Sequence, residues 1–442
     1  MGPIVDPVSS DATPPRRADV VVVGGGIIGS AAAYYLAKAG VSVALCEKGH
    51  IAGEQSSRNW GWCRQSMRDP LEIPLSIAAL RLWPGLNAEL EAETGFRQAG
   101  ILFAGETDKD VAGLEAWLGH AKPYQLDTKM VTGAELAALL PGATRPAKGG
   151  IFTASDGRAE PQKAAPALAR AARRLGASVL TGCAVRGLEL AGGRVAGVVT
   201  EKGAIACKSV ILAGGAWSRL FCDALDLRLP QLKVTATVMR TAPLEGPSEH
   251  AVWMSKFAFR KRLDGGYTIA NSGVHQHDIR PESFRFLTDF LPTLRMSWRE
   301  TSLRIGRSFL DDLRTPKRPA LDQPTIYERL RVIDPEPSEA TNRRTRKDLE
   351  TAFPVFKTAR IEQQWAGSID VTPDALPVIS PIDAVPGFFL ATGFSGHGFG
   401  VGPAAGRLAA DLVTGAPPIV DPTPFRFARF SDGSRLRPFA PP

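Results

Sequence analysis

Cysteine and histidine are scarce in this chain, with five and six copies among 442 residues. Cys46, Cys63, Cys183, Cys207 and Cys222 are odd in number, far apart and without a C-x-x-C pair. This argues against a disulfide framework and a structural zinc site, and for a reducing, cytoplasmic compartment. His275 and His277 stand two apart beside Asp278 in a polar stretch that reads as a turn, and no fourth ligand follows at suitable spacing, so no metal is expected. No run is long and apolar enough to span a bilayer. Blocks of like charge are also missing. The formal charge is +8, but the basic residues are scattered, and the cluster Arg343, Arg344, Arg346 and Lys347 reads as a solvated helix face rather than a nucleic-acid site. Residues 1–17, rich in Pro, Ser and Asp, read as a disordered leader; Arg16 and Arg17 imitate a twin-arginine signal, but the apolar run behind them is a strand with no cleavage site.

What is present is an ordinary globular balance, 44% hydrophobic and 22% charged, over a length that suits two domains. From Asp19 the chain reads DVVVVGGGIIGSAAAYYLAKAGVSVALCEKG: an apolar strand, a glycine turn, a small-residue helix, a second strand and an acid at its end. Gly24 permits the tight turn, Gly26 leaves room for a pyrophosphate to approach the backbone, and Gly29 lets the helix lie close to the sheet. The backbone N–H groups at the helix start, around Ile27 and Ile28, favour an anion. Glu47 is placed to accept hydrogen bonds from both hydroxyls of an adenosine ribose, and its charge repels a 2′-phosphate. The pattern predicts a dinucleotide site and, by itself, leaves FAD and NAD both open.

Farther along, the patterns predict helices over Pro74 to Thr94, 109–119 and 133–140, with a strand in GILFAG at 100–105. Ser209 to Ala213 reads as a strand running into Gly214 and Gly215, extending the nucleotide sheet. Lys233 to Ile269 reads as antiparallel strands, followed by Arg-rich helical stretches at 282–310 and 337–352. The chain then returns to a nucleotide-type pattern. Strand Gly387 to Thr392 opens into a loop holding Gly393, Gly396, Gly398, Gly400 and Gly402, then a helix with Pro403 near its first position and Gly415 as its stop. So much glycine before a helix lets backbone approach a flat ring, and the positive helix end suits negative charge on a reduced isoalloxazine. The expected fold is α/β with α+β: a Rossmann-type dinucleotide-binding domain from 18–95, 150–230 and 365–420, a discontinuous substrate domain on an antiparallel sheet from 96–149 and 231–364, and a tail from 421–442.

Taken together, the N-terminal unit with Glu47 and Lys48, the tract from Ser56 to Arg64, SDGRAEP, VILAGGAWS, and TPDALPVI followed by GFSGHGFGVGPAAG resemble the D-amino acid oxidase-like family of FAD-dependent oxidoreductases. The resemblance covers the chain from Asp19 to about Gly415. It implies FAD as cofactor, with Ser56 and Ser57 at the pyrophosphate or ribityl chain. Asn59, Gly61 and Trp62 would lie along the isoalloxazine and Val185 at the adenine edge. Gly214, Trp217, Gly393, Gly396 and Gly398 would also face the cofactor, and His397 would lie close to both cofactor and substrate. Sarcosine-oxidase-like members carry a Lys where this chain has Gly400 and a flavin-attaching Cys where it has WAGSID, so the resemblance here implies non-covalent FAD and a missing carboxylate anchor. Their oxygen-activating Lys falls near Thr268, which favours a dehydrogenase over an oxidase.

The chemistry this implies is oxidation of the C–N bond of a small amino acid or secondary amine, such as a D-, N-alkyl or cyclic amino acid. Hydride passes to flavin N5, and the resulting imine hydrolyses. Arg64 is the first choice for the substrate carboxylate, with Arg260 or Arg262 second, because a guanidinium fork matches a carboxylate in two hydrogen bonds. Oxygen, a quinone or a protein would accept the electrons, and an oligomer or heteromeric complex is compatible with the family. Two other readings stay open: an electron-transferring subunit of a heteromeric amino acid or opine dehydrogenase, and an NAD-linked dehydrogenase. No nucleic acid or transmembrane segment is expected.

Overall fold

In the computed structural model, which describes residues 2–145, 147–273, 275–297, 301–306 and 308–439, the four valines Val20–Val23 form a buried central strand. They pair in parallel with Val43–Cys46 on one side and Ser209–Leu212 on the other. The full sheet runs in the order Val378–Pro381, Phe388–Thr392, Ser209–Leu212, Val20–Val23, Val43–Cys46, Ser178–Leu180, and only the edge strand Val378–Pro381 is antiparallel. A strand buried on both faces needs a continuous apolar run, which is what the valines supply.

Small residues set the distance at which helices cover this sheet. Helix Ile27–Lys38 packs between helices Pro161–Arg174 and Gly398–Thr414, and Ala31, Ala32 and Ala33 are wholly buried. A Cβ on Gly406 would lie 2.4 Å from the Cβ of Ala31, and one on Gly402 2.5 Å from Ile27. The helices therefore sit closer than side chains would allow. Gly29 has the same function toward the turn, since its Cβ would come within 1.9 Å of the Gly24 carbonyl oxygen.

The second sheet has ten strands among the described residues, in the order Thr301–Ile305, His275–Ile279, Leu232–Thr241, Tyr267–Ala270, Ala258–Lys261, Ala251–Trp253, Ile101–Gly105, Gly149–Thr153, Lys129–Val131. The tenth, Ile361–Val371, lies antiparallel along the whole of Leu232–Thr241, with Lys233 opposite Asp370. This long pair carries the middle of the chain back to the first sheet.

Three expectations are corrected. Residues 2–17 are packed, not disordered: Asp6 N–H donates to Gln162, Asp11 N–H to Val179, and Arg17 bridges to Ala206. Asp11 also accepts from Arg173 and Val179, so the polar composition that suggested disorder is spent on specific partners. The expected helix over 282–310 is broken into Pro281–Arg285, Leu287–Ser297 and the strand Thr301–Ile305, which joins the sheet edge. The stretch around His277 is that strand's partner, His275–Ile279, rather than a turn. In both places sheet pairing overrides local pattern.

Candidate active site

A single cavity of about 1030 Å³ runs between the two sheets, from the glycine turn after Val23 to the loop before helix Gly398–Thr414. This is at the upper end of the range for small-molecule sites, about 300–1,000 Å³.

At one end the turn is built as the sequence predicts. Gly24 has φ +106°, and a Cβ there would meet the Ala213 carbonyl oxygen at 2.4 Å. Glu47 accepts from the N–H groups of Gly25 and Gly49, both at 2.7 Å. Burial pushes the Glu47 carboxyl up, and those two amides pull it back. A carboxylate has about four acceptor positions, so two remain for ribose hydroxyls. Ser56 Oγ accepts from Ile27 N–H at 2.8 Å, and a Cβ on Gly26 would lie 3.0 Å from that Oγ, closing the cradle. Lys48 pairs with Glu54 at 3.1 Å and lies 4.2 Å from the Trp217 ring centre, while Trp217 donates to Glu54 at 3.0 Å. Ile28, Val185 and Gly214 also line this end.

Asn59, Trp60 and Trp62, with Gly396 and Gly398, also line the cavity. Asn59 shapes the turn it stands in: its amide donates to the Gln55 and Ser56 carbonyls and its oxygen accepts from Gly61 N–H. Four residues assigned to the cofactor lie behind the cavity wall. Gly29 packs on the turn, and Ser57 Oγ donates to the Glu54 carbonyl. Gly393 N–H donates to the buried Asp370 carboxylate at 2.8 Å. Gly61 has φ +76°, and a Cβ there would meet the Ala159 carbonyl oxygen at 2.4 Å and the Arg260 guanidinium at 2.7 Å.

The far end holds Arg64, Arg68 and His397. Arg64 donates to the Ser66 carbonyl, and its guanidinium carbon sits 5.3 Å from the Phe103 ring centre. Burial, then the neighbouring charge of Arg68, pulls its guanidinium down to about 9, so it stays cationic at neutral pH. Its loop is pinned by Asp156, which accepts from Gln65 N–H at 2.8 Å and from the Ser66 hydroxyl; burial raises that carboxyl to about 6. His397 Nδ1 lies 3.0 Å from an oxygen of Glu72, a residue with no exposed surface.

The two reserve anchors are corrected. Arg260 is 1% exposed and gives both its terminal nitrogens to Glu160, at 2.8 and 3.0 Å. Arg262 pairs with Asp264 at 3.1 Å, and neither arginine lines the cavity. Both face acids that neutralise them before any substrate could. Thr268 likewise stands within the second sheet, opposite Arg240 and Arg260 and away from the cavity lining. Among the described residues no three His, Cys, Asp or Glu side chains are grouped to hold a metal, and no helix is long and apolar enough to cross a membrane.

Sequence reasoning passed over several contributors. Arg68 and Glu72 carry no motif, because Glu72 meets His397 from 325 positions away. Residues 321–334 cross from the second-sheet half to lie beside Lys48: Tyr327, Arg331 and Val332 line the cavity, and Arg331 donates to Glu201 and to the Lys48 carbonyl.

These features fit FAD: a glycine cradle, an acid beside it with acceptor positions to spare, and one continuous cavity that reaches a helix N-terminus. Comparison with known proteins agrees. The family model for FAD-dependent oxidoreductases, DAO, matches residues 19–412. The beta subunit of sarcosine oxidase from Rhodobacter capsulatus is 25% identical over 95% of this chain and 90% of its own length, and glycine oxidase from Pseudomonas aeruginosa is 26% identical over 88% and 93%. Among solved structures, L-amino acid deaminase from Proteus myxofaciens superposes with a TM-score of 0.94 at 34% identity, covering 98% of this chain and 97% of that one. The L-amino acid deaminase from Proteus vulgaris gives 0.91 at 30% identity, covering 97% and 100%. The cradle, the cavity and these likenesses lead to one statement: this chain belongs to the DAO family of FAD-dependent oxidoreductases and uses FAD as its cofactor.

Proposed function

We propose that the protein oxidises the Cα–N bond of a free L-α-amino acid, giving an imine that water hydrolyses to a keto acid and ammonia. FAD, held non-covalently, supplies the two-electron acceptor. The observation that carries this reading is Arg64: a half-buried cation on the cavity wall, two residues from Trp62 and beside Phe103. It binds the substrate carboxylate as a fork, and its held loop fixes the distance from the carboxylate to Cα. The amine then points toward His397 and the helix N-terminus. The choice of the L-series rests on similarity to the two Proteus deaminases, which is higher than to the sarcosine and glycine oxidases.

Two finer points follow from the cavity lining. All five cysteines are buried and only Cys46 reaches the lining, at the adenosine end, which favours non-covalent FAD. Lys48, also at the adenosine end, is the only lysine among the lining residues. With no lysine at the substrate end to activate oxygen, electrons pass to a quinone or protein acceptor. Kinship with a sarcosine oxidase beta subunit supports a second reading, in which the chain works on a secondary amine within a heteromeric complex. An anaerobic panel of L-, D-, N-methyl- and cyclic amino acids tests the choice. Bleaching of the flavin by L-amino acids is expected; bleaching by N-methyl or D-compounds alone would transfer the assignment to the second reading or to a D-amino acid dehydrogenase.

A further inference from the structure

We propose that Glu72 is a positioning residue that holds His397 with its proton on Nδ1, so that Nε2 accepts the proton an amino acid's ammonium group must lose before Cα is oxidised. This deepens the amino acid reading above and rests on it.

Glu72 is the residue just before helix Ile73–Glu89, and it is fully buried. A buried carboxylate is costly unless it is paired. One oxygen lies 3.0 Å from His397 Nδ1; the other has no hydrogen-bond partner among the described residues. Arg68 approaches only to 3.9 Å, too far for a hydrogen bond, and its Nη1 is also without a partner. The contact that orients Glu72 is thus the histidine. Burial pushes the Glu72 carboxyl up, but the cationic form of His397 and Arg68 outweigh it and hold it at about 2 in acid; once the ring is neutral, Arg68, Arg64 and the ring N–H still lower it, so at working pH it accepts. Nδ1 must then be the donor, which leaves the lone pair on Nε2. No described residue hydrogen-bonds Nε2, and the side chain is 28% exposed on a residue that lines the cavity.

The charged groups facing the pair set its charge state. Arg64 and Arg68 come from the segment that leads into Glu72; Asp69, which interacts with Glu72 and Asp374, comes from the same segment. Asp374, after strand Ile361–Val371, is tied to Arg429 at 2.8 Å. Burial and the two arginines lower the basicity of His397, and Glu72 opposes them. The ring is therefore neutral at neutral pH and able to accept. In the step itself, one ammonium N–H bond breaks, its electron pair stays on nitrogen, and an Nε2–H bond forms. The new imidazolium stands beside the Glu72 carboxylate, which offsets its charge until the product leaves. This is the geometry by which a carboxylate fixes a catalytic imidazole's tautomer and stabilises its cation.

Three measurements on the holoenzyme test it. In the resting enzyme labelled with 15N-histidine, His397 should show a protonated Nδ1 and a bare Nε2; the opposite tautomer overturns the proposal whatever the substrate is. With an L-amino acid that bleaches the wild-type flavin, Glu72→Gln should keep its FAD but lower kcat/KM by about tenfold or more. Its acidic limb should also move to lower pH, because the group that raises the imidazole pKa is gone. His397→Ala should lose about 100-fold at neutral pH and recover as pH rises toward the pKa of the substrate's own ammonium. A pH profile unchanged in Glu72→Gln, or no recovery in His397→Ala, overturns the dyad while leaving the amino acid reading intact. Failure of every amino acid to bleach the wild type strikes that reading instead, and the tautomer measurement still stands as the test of Glu72.

Discussion

Arg64 is half-buried and Arg260 fully buried near the same tryptophans, and their surroundings give them opposite tasks. Arg64 faces the cavity without a carboxylate hydrogen-bonded to it, whereas Arg260 is locked to Glu160. Arg64→Ala should keep FAD and stability yet lower kcat/KM roughly 30-fold or more, because truncating one side of a buried charge pair costs about 2–5 kcal/mol; steady-state kinetics alongside FAD titration checks this. Arg260→Ala should instead lose about 3–5 kcal/mol of folding stability by leaving Glu160 buried and unpaired. Its pH dependence has a definite sign. Burial pushes Glu160 up, but Arg260 outweighs it and depresses it from 4.5 to about 2, so the pair's contribution is present above pH 4.5 and fades as pH falls toward 2. In Arg260→Ala only Arg262 and the Leu263 N–H still oppose burial, so the Glu160 carboxyl moves back up and the loss of stability on acidification should shrink. Denaturant unfolding across this range reads both slopes.

Gly400 shows what a single atom decides. A Cβ there would lie 2.7 Å from the Trp62 carbonyl oxygen and 3.2 Å from Cys63 Cα. Gly400→Lys should therefore cost about 1–3 kcal/mol through overpacking and gain no affinity for a substrate carboxylate, as unfolding and binding titrations would show. Which acid meets which base was the part least legible in the sequence. Glu160 and Arg260 are 100 positions apart, and Glu72 and His397 are 325 apart. Such pairs leave no local spacing to read.

Elements were read well where one local rule governs them. The valine strand, the glycine turn and the alanine helix follow from backbone freedom and burial and stand where their residues predict, whereas helix Gly398–Thr414 begins earlier than its glycines suggest, taking in Gly398, Gly400 and Gly402 and leaving Pro403 in its interior. Reading failed where distant pairing decides, as in strand Thr301–Ile305 and the packed segment 2–17. It also failed for residues 321–334, whose lysine, arginine and acid contacts reach back to the nucleotide sheet. Lys48 donates to the Leu330 carbonyl at 3.0 Å, Ile333 N–H donates to Glu54 at 3.0 Å, and Arg58 pairs with Asp334 at 2.6 Å. Because this segment covers the adenosine end, Arg331→Ala should raise the FAD dissociation rate by about tenfold, the equivalent of one charge-assisted hydrogen bond. Dilution of holoenzyme into a flavin trap measures it, with kcat at saturating FAD unchanged.

At the scale of the molecule, one cavity takes walls from both sheets, and the long antiparallel pair Leu232–Thr241 and Ile361–Val371 lines it from the second. The nucleotide sheet supplies the cradle and the second sheet the opposing wall, so cofactor and substrate meet only when the whole chain is folded. On the proposed reading, that arrangement serves one event, transfer of two electrons from an amino acid's Cα–N bond to FAD. Anaerobic rapid mixing of the holoenzyme with L- and D-enantiomers of one amino acid, with keto acid and ammonia counted against flavin bleached, tests it most directly. The account predicts full bleaching by the L-form, with one keto acid and one ammonia per flavin. Flavin that stays oxidised with every L-amino acid tried, or that bleaches without releasing ammonia, would contradict it.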